Sequence, residues 1–166
     1  MFIVKIGDIV EANTDAIAIE SNIYGTMPRG LSLAVKTLAG DEVEKEAKRI
    51  CRGNDKIKEG SCFSTSAGNL QEIGIKRIYH AVIAQSPGGL SSAYNIEYSV
   101  KCVLEKAARE GMKSIAIPGI GIESAFDIEN VAILFVSMIK KMGNMIDIVV
   151  IDRNENFIEI LKGLVK

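Results

Sequence analysis

Short apolar runs alternate with segments of helical spacing along this chain, and nearly every switch between them is marked by glycine or proline. Asp15–Ile19, Arg77–Ile83, Ser114–Pro118 and Ile146–Ile151 are β-prone and lack the polar alternation of a half-exposed strand, so each reads as a strand covered on both faces. Ile3–Ile9 reads as a first strand and Ser61–Ala67 as a further β-prone stretch. Between them, Leu31, Ala34, Val35 and Leu38 fall at helical spacing, and Gly40 ends that segment. Asp41 to about Cys51, Ser92–Glu110, Asp127–Met142 and Asn154–Val165 read as further helices, the first with Asp41 as cap and Glu44 completing a capping box. Strands that alternate with helices need crossover connections, which predicts an α/β fold with a mostly parallel sheet. In such sheets a ligand binds beyond the carboxyl ends of the strands, here at the loops after Ile9, Ile19 and Pro118.

The 166 residues suffice for one domain, taken as 1–166, and 48% hydrophobic content is enough for a core. A net charge of -1 gives no field to draw the chain to nucleic acid or an anionic membrane. The basic residues of 45–58 are diluted by Glu44, Glu46, Asp55 and Glu59 and read as a solvated face. No run suits a membrane span, and Met1–Lys5 lacks the layout of a signal peptide. Cys51, Cys62 and Cys102 are odd in number and widely spaced. Neither a disulfide framework nor a metal site is indicated; Cys62 and Cys102 read as buried thiols, in a cytoplasmic protein. With His80 the one histidine, a metal cluster or Ser-His-Asp triad has no support, and His80 reads as a core residue. No Walker motif occurs, and no cofactor is implied. Gly119-Ile120-Gly121-Ile122-Glu123-Ser124 approximates a glycine-rich fingerprint whose last glycine is serine, which suits phosphate binding in general.

The ordered motifs carry a resemblance. Gly7-Asp8-Ile9, then Ala16-Ile17-Ala18-Ile19-Glu20-Ser21-Asn22, then a loop opening a helix that ends Leu38-Ala39-Gly40, resemble the start of a macro domain. Ala67-Gly68-Asn69-Leu70, Ile75–Val82, Ser114–Pro118 and Val149–Asp152 continue the likeness over nearly the whole chain. The resemblance implies a three-layer α/β/α sandwich with an ADP-ribose cleft. Its partners would be ADP-ribose or a related nucleotide, free or attached to protein. Hydrolysis of an ADP-ribosyl ester, O-acetyl-ADP-ribose or ADP-ribose-1''-phosphate is the activity it suggests, with a non-catalytic reader and a scaffold that has lost the nucleotide as alternatives.

Residue by residue, the resemblance gives Asp8 the adenine amino group and Ile9 a ring nitrogen through its backbone; the alternative for Asp8 is to end the strand or cap the turn after it. Asn22 would contact the distal ribose and hold the attacking water, or else serve a turn before Gly25. Ile19 stands where the family has its first Asn, which weakens a hydrolase reading. Glu20 replaces an Ala and is either a general base at the distal ribose, a partner of Arg29, or a solvent-facing acid. The first phosphate loop is reduced to Pro28-Arg29-Gly30-Leu31, where Arg29 and the helix N-terminus could stand in for missing glycines. Gly119, Gly121, Ile122, Glu123, Ser124, Ala125 and Phe126 form the second loop, one residue short of the family pattern. Phe126 faces the distal ribose or anchors the next helix, and Ile151 lies under adenine without stacking.

Overall fold

The computed structural model describes residues 1–124 and 127–166. Six strands form one sheet: β1 (Phe2–Ile6), β2 (Ala16–Asn22), β3 (Cys62–Ser66), β4 (Arg77–Ala84), β5 (Ser114–Ile117) and β6 (Asp147–Asp152). Their order across the sheet is β1-β6-β5-β2-β4-β3, and every pairing is parallel except β3 with β4. The helices are α1 (Gly30–Ala39), α2 (Asp41–Cys51), α3 (Ala93–Arg109), α4 (Ile128–Met142) and α5 (Glu155–Leu164). The architecture is the expected α/β sandwich with a mostly parallel sheet. Among the described residues no helix is long and apolar enough to cross a membrane.

Alternation along β2 builds both layers of core. Ala16 and Ala18 face a cluster with Val100, Leu104, Phe135 and Phe157 of α3, α4 and α5. Ile17 and Ile19 face the opposite cluster with Val35 of α1 and Val43 of α2. All four β2 residues are fully buried, so even the small alanines are needed to let the helices approach. The first strand is shorter than expected: it ends at Ile6, and Ile9–Glu11 turn into a 3-10 helix capped by Asp8.

Ser92, Asp127 and Asn154, where the sequence places helix starts, are the caps of those helices: the side chain of each accepts a hydrogen bond from a first-turn amide. The capping box at Asp41 does not form. Gly40 is the cap, and Glu44 turns away to accept from the Met27 amide at 2.6 Å and to pair with Lys36 and Lys48. Three donors outside the turn outcompete one backbone amide within it. At the sheet's antiparallel margin, the Ser66 amide donates to the Glu46 carboxylate of α2.

The cysteine expectation needs correction. Cys62 of β3 and Cys102 of α3 are joined in a disulfide, and Cys51 alone is a free, buried thiol. Widely spaced cysteines meet here because α3 packs over the β3–β4 pair, a tertiary fact with no local signature. Unfolded without reductant, the chain should show one reactive thiol, rising to three on reduction, by thiol titration; three at the outset would contradict the bridge.

His80 lies fully buried in β4, stacked on Phe63 with ring centroids 4.4 Å apart. Its Nε2 meets the Thr65 hydroxyl at 2.9 Å, while Nδ1 has no partner among the described residues. Burial pushes its pKa down to about 3. The folded pKa lies below the unfolded one, so this stabilisation is complete above the unfolded value and is lost as pH falls toward the folded value. Lowering pH from about 7.5 to about 5 should remove about 2 kcal/mol through this group. His80→Phe should show a pH dependence of unfolding free energy shallower by that amount in denaturant titrations.

Candidate functional site

The carboxyl ends of β1, β2, β4, β5 and β6 open onto one cleft of about 510 Å³. Its wall on one side is α1, with Leu31, Ala34 and Leu38; at one end lie Ile9, Val10 and Ile151. The opposite end is formed by Ile83, Ala84 and Ser86–Gly89 after β4, a loop that the sequence reading left out of the site.

Asp8 caps the 3-10 turn and also lines the cleft. One oxygen accepts from the Val10 amide at 3.2 Å; the other pairs with the Arg153 guanidinium. Arg153 was not anticipated, because a single arginine after a strand has no distinguishing context. Ile9 and Ile151 are buried and form an apolar floor beside Asp8.

Arg29, Gly30 and Leu31 open α1. No side chain caps this helix, and its first backbone bond runs from the Leu33 amide to the Arg29 carbonyl. The amides of residues 30–32 therefore remain at the cleft, at the positive end of the helix dipole. Arg29 does not pair with Glu20. It reaches across the opening and donates to the Pro87 carbonyl at 3.0 Å, lying so close over Gly88 that a Cβ there would fall 1.1 Å from its Nη2.

Glu20 is neither a solvent-facing acid nor an Arg29 partner. It is half-buried at the centre of the cleft, and its Oε1 accepts from the Gly121 amide at 2.6 Å. Burial raises its pKa, the Gly121 bond opposes the rise, and the Glu123 and Asp152 charges add to it. Gly121 permits this approach: its φ is +93°, and a Cβ would lie 2.4 Å from Ile96 Cδ1. Next to it, Asp152 accepts from the Gly119 and Asn154 amides, both at 2.8 Å. Two amides of the expected second phosphate loop are thus held by the protein's own carboxylates. Ile122, Glu123 and Ser124 complete the loop's cleft face, with the Ser124 hydroxyl donating to the Gly121 carbonyl. Ala125 and Phe126 lie outside the described residues.

Asn22 is buried at the cleft edge with its amide committed to its own loop. Nδ2 donates to the Thr26 carbonyl and hydroxyl at 3.1 and 3.0 Å, and Oδ1 accepts from the Tyr24 amide at 3.0 Å. The turn alternative describes this geometry. Among the described residues no group of three His, Cys, Asp or Glu side chains is placed to hold a metal ion.

The model of the macro domain family matches residues 20–134. The chain belongs to the macro domain family. An uncharacterized protein of Aquifex aeolicus is 34% identical over 115 residues, covering 69% of this chain and 66% of that one. The ADP-ribose glycohydrolase of Archaeoglobus fulgidus is 34% identical over 145 residues, covering 81% of this chain and 74% of that one. This macro domain spans 66%, 62% and 60% of the length of the first curated relatives it matches. The Oceanobacillus iheyensis macrodomain with ADP superposes with a TM-score of 0.82 at 19% identity, over 96% of this chain and 87% of that one, a likeness of fold.

If Asn22 pins the turn, Asn22→Ala should cost about 2 kcal/mol or more of unfolding free energy, since several buried bonds are lost together. Urea unfolding at neutral pH measures it; an unchanged midpoint would remove the turn role.

Proposed function

We propose that this domain, taken as residues 1–166, binds ADP-ribose or an ADP-ribose derivative in the cleft. The observation that carries the reading is the cleft's layout within a macro domain: an acceptor over an apolar floor at one end, and uncapped helix amides midway. Asp8 accepts from the adenine amino group, Ile9 and Ile151 cover the base, and the α1 amides with Arg29 meet the diphosphate. The relative from Archaeoglobus fulgidus bears the name ADP-ribose glycohydrolase, and the Oceanobacillus iheyensis structure holds ADP; both support this ligand class.

Turnover would be hydrolysis at the distal ribose of an ADP-ribosyl ester, O-acetyl-ADP-ribose or ADP-ribose-1''-phosphate, with ADP-ribosylated protein as a partner. Glu20 is then the base, at the cleft centre, where burial raises its pKa. A second reading, binding without turnover, is favoured by the commitment of the Asn22 amide to Thr26 and Tyr24, which leaves it unable to hold a water as well. A scaffold without a nucleotide is the third, favoured by the carboxylates on Gly119 and Gly121. A cytoplasmic location belongs to this proposal. A structural disulfide in that compartment is the exception, known chiefly from hyperthermophiles.

Calorimetry with ADP-ribose should give one-site binding, and Asp8→Ala should weaken it by about tenfold to a hundredfold, the loss of a charge-assisted bond. Absence of heat at millimolar ligand would leave the scaffold reading. Incubation with the three derivatives separates enzyme from reader by the appearance of free ADP-ribose.

A further inference from the structure

The Gly121 amide is an anion-binding donor that already has an anion. Glu20 enters from the end of β2, the central strand, and its Oε1 sits 2.6 Å from that nitrogen. Asp152 is similar in kind but differently secured: it accepts from two amides, those of Gly119 and Asn154, and so belongs to the end of β6. Glu20 is held by one amide and lines the cleft beside Gly119, Ile122 and Ser124 of the second loop, while Gly121 itself is buried. A phosphate entering there meets a carboxylate where it needs a donor.

We propose that Glu20 is an internal competitor for the second phosphate subsite, so that a diphosphate binds there with uptake of one proton by Glu20. The inference rests on the reading of the cleft as an ADP-ribose site, and it goes with binding without turnover, since a carboxyl that is protonated in the complex cannot also serve as the base. As an ionised group Glu20 only accepts and repels a phosphate; once protonated it carries an O–H that can donate to a phosphate oxygen, and its hold on Gly121 is weaker. The proton comes from solvent and no covalent bond is broken. The charged groups facing this space, among the described residues, are Glu123 after β5, Asp152 and Arg153 at the end of β6, Asp8 after β1, and Arg29 from α1. β4 contributes only the apolar Ile83 and Ala84 at this end, and β2 adds the neutral Ser21 and Asn22. The two arginines are turned elsewhere, to Pro87 and Asp8, so the near neighbours of Glu20 are acids, which favour its protonated form.

The experiment is calorimetry of the full chain with ADP-ribose from about pH 5 to about pH 9, in pairs of buffers differing in ionisation enthalpy so that protons are counted. The diphosphate of ADP-ribose has no group that titrates near neutrality, so proton uptake reports the protein. Wild type should take up close to one proton per ligand on the alkaline side, with affinity falling up to about tenfold per pH unit. Glu20→Gln should take up none, bind with an affinity independent of pH, and bind at least about tenfold more tightly than wild type near pH 8. Glu20→Ala provides a second variant should the amide disturb the loop. Binding by wild type with no proton uptake, or uptake retained in both Glu20 variants, overturns the competitor while leaving the ADP-ribose site intact. If neither wild type nor either Glu20 variant binds at millimolar ligand, the site reading falls and takes this inference with it.

Discussion

The burial of β2 on both faces and along both edges sets the rest of the structure. Its apolar residues Ala16–Ile19 have no exposure, and β4 and β5 complete its backbone bonds. A strand so enclosed fixes where its carboxyl end emerges, at the middle of the sheet with helices on either side. The first residue free of the core, Glu20, therefore stands at the centre of the cleft. A charged group would not be tolerated one residue earlier, where Ile19 is packed against α1 and α2.

From that position one carboxylate organises the chemistry around it. The sheet-edge cleft has an uncapped α1 on one side and, on the other, a second loop whose amides are taken by the protein's own acids. Two acids take over the Gly119 and Gly121 amides, which satisfies donors that would otherwise be orphaned in a partly buried loop.

Much of the fold was legible because it is written in local patterns. Buried strands appear as unbroken apolar runs, and Ser92, Asp127 and Asn154 announce helix starts through side chains that bond within the next three residues. The lining of the cleft was legible where it coincides with those patterns: Asp8 at a turn, Gly30 at a helix start, Gly119 after a strand. Long-range pairings were not. The Glu20–Gly121 bond spans a hundred residues, and Asp8–Arg153 spans more; neither leaves a periodicity to read. The Cys62–Cys102 bridge was misread for the same reason, and Glu44 abandoned a local cap for Met27, Lys36 and Lys48 brought to it by folding.

The antiparallel strand at the sheet's margin has a consequence for how copies of the molecule meet. An outermost strand offers its outward amides and carbonyls as a template on which a neighbour's chain can grow the sheet. β3 is only five residues long, is tied to α3 through Cys62, and gives its Ser66 amide to the Glu46 carboxylate. Short length, a covalent anchor and an acid seated on one of its donors leave little for a foreign strand to grip. Crowded solutions of the protein are thereby shielded on that flank from zippering edge to edge.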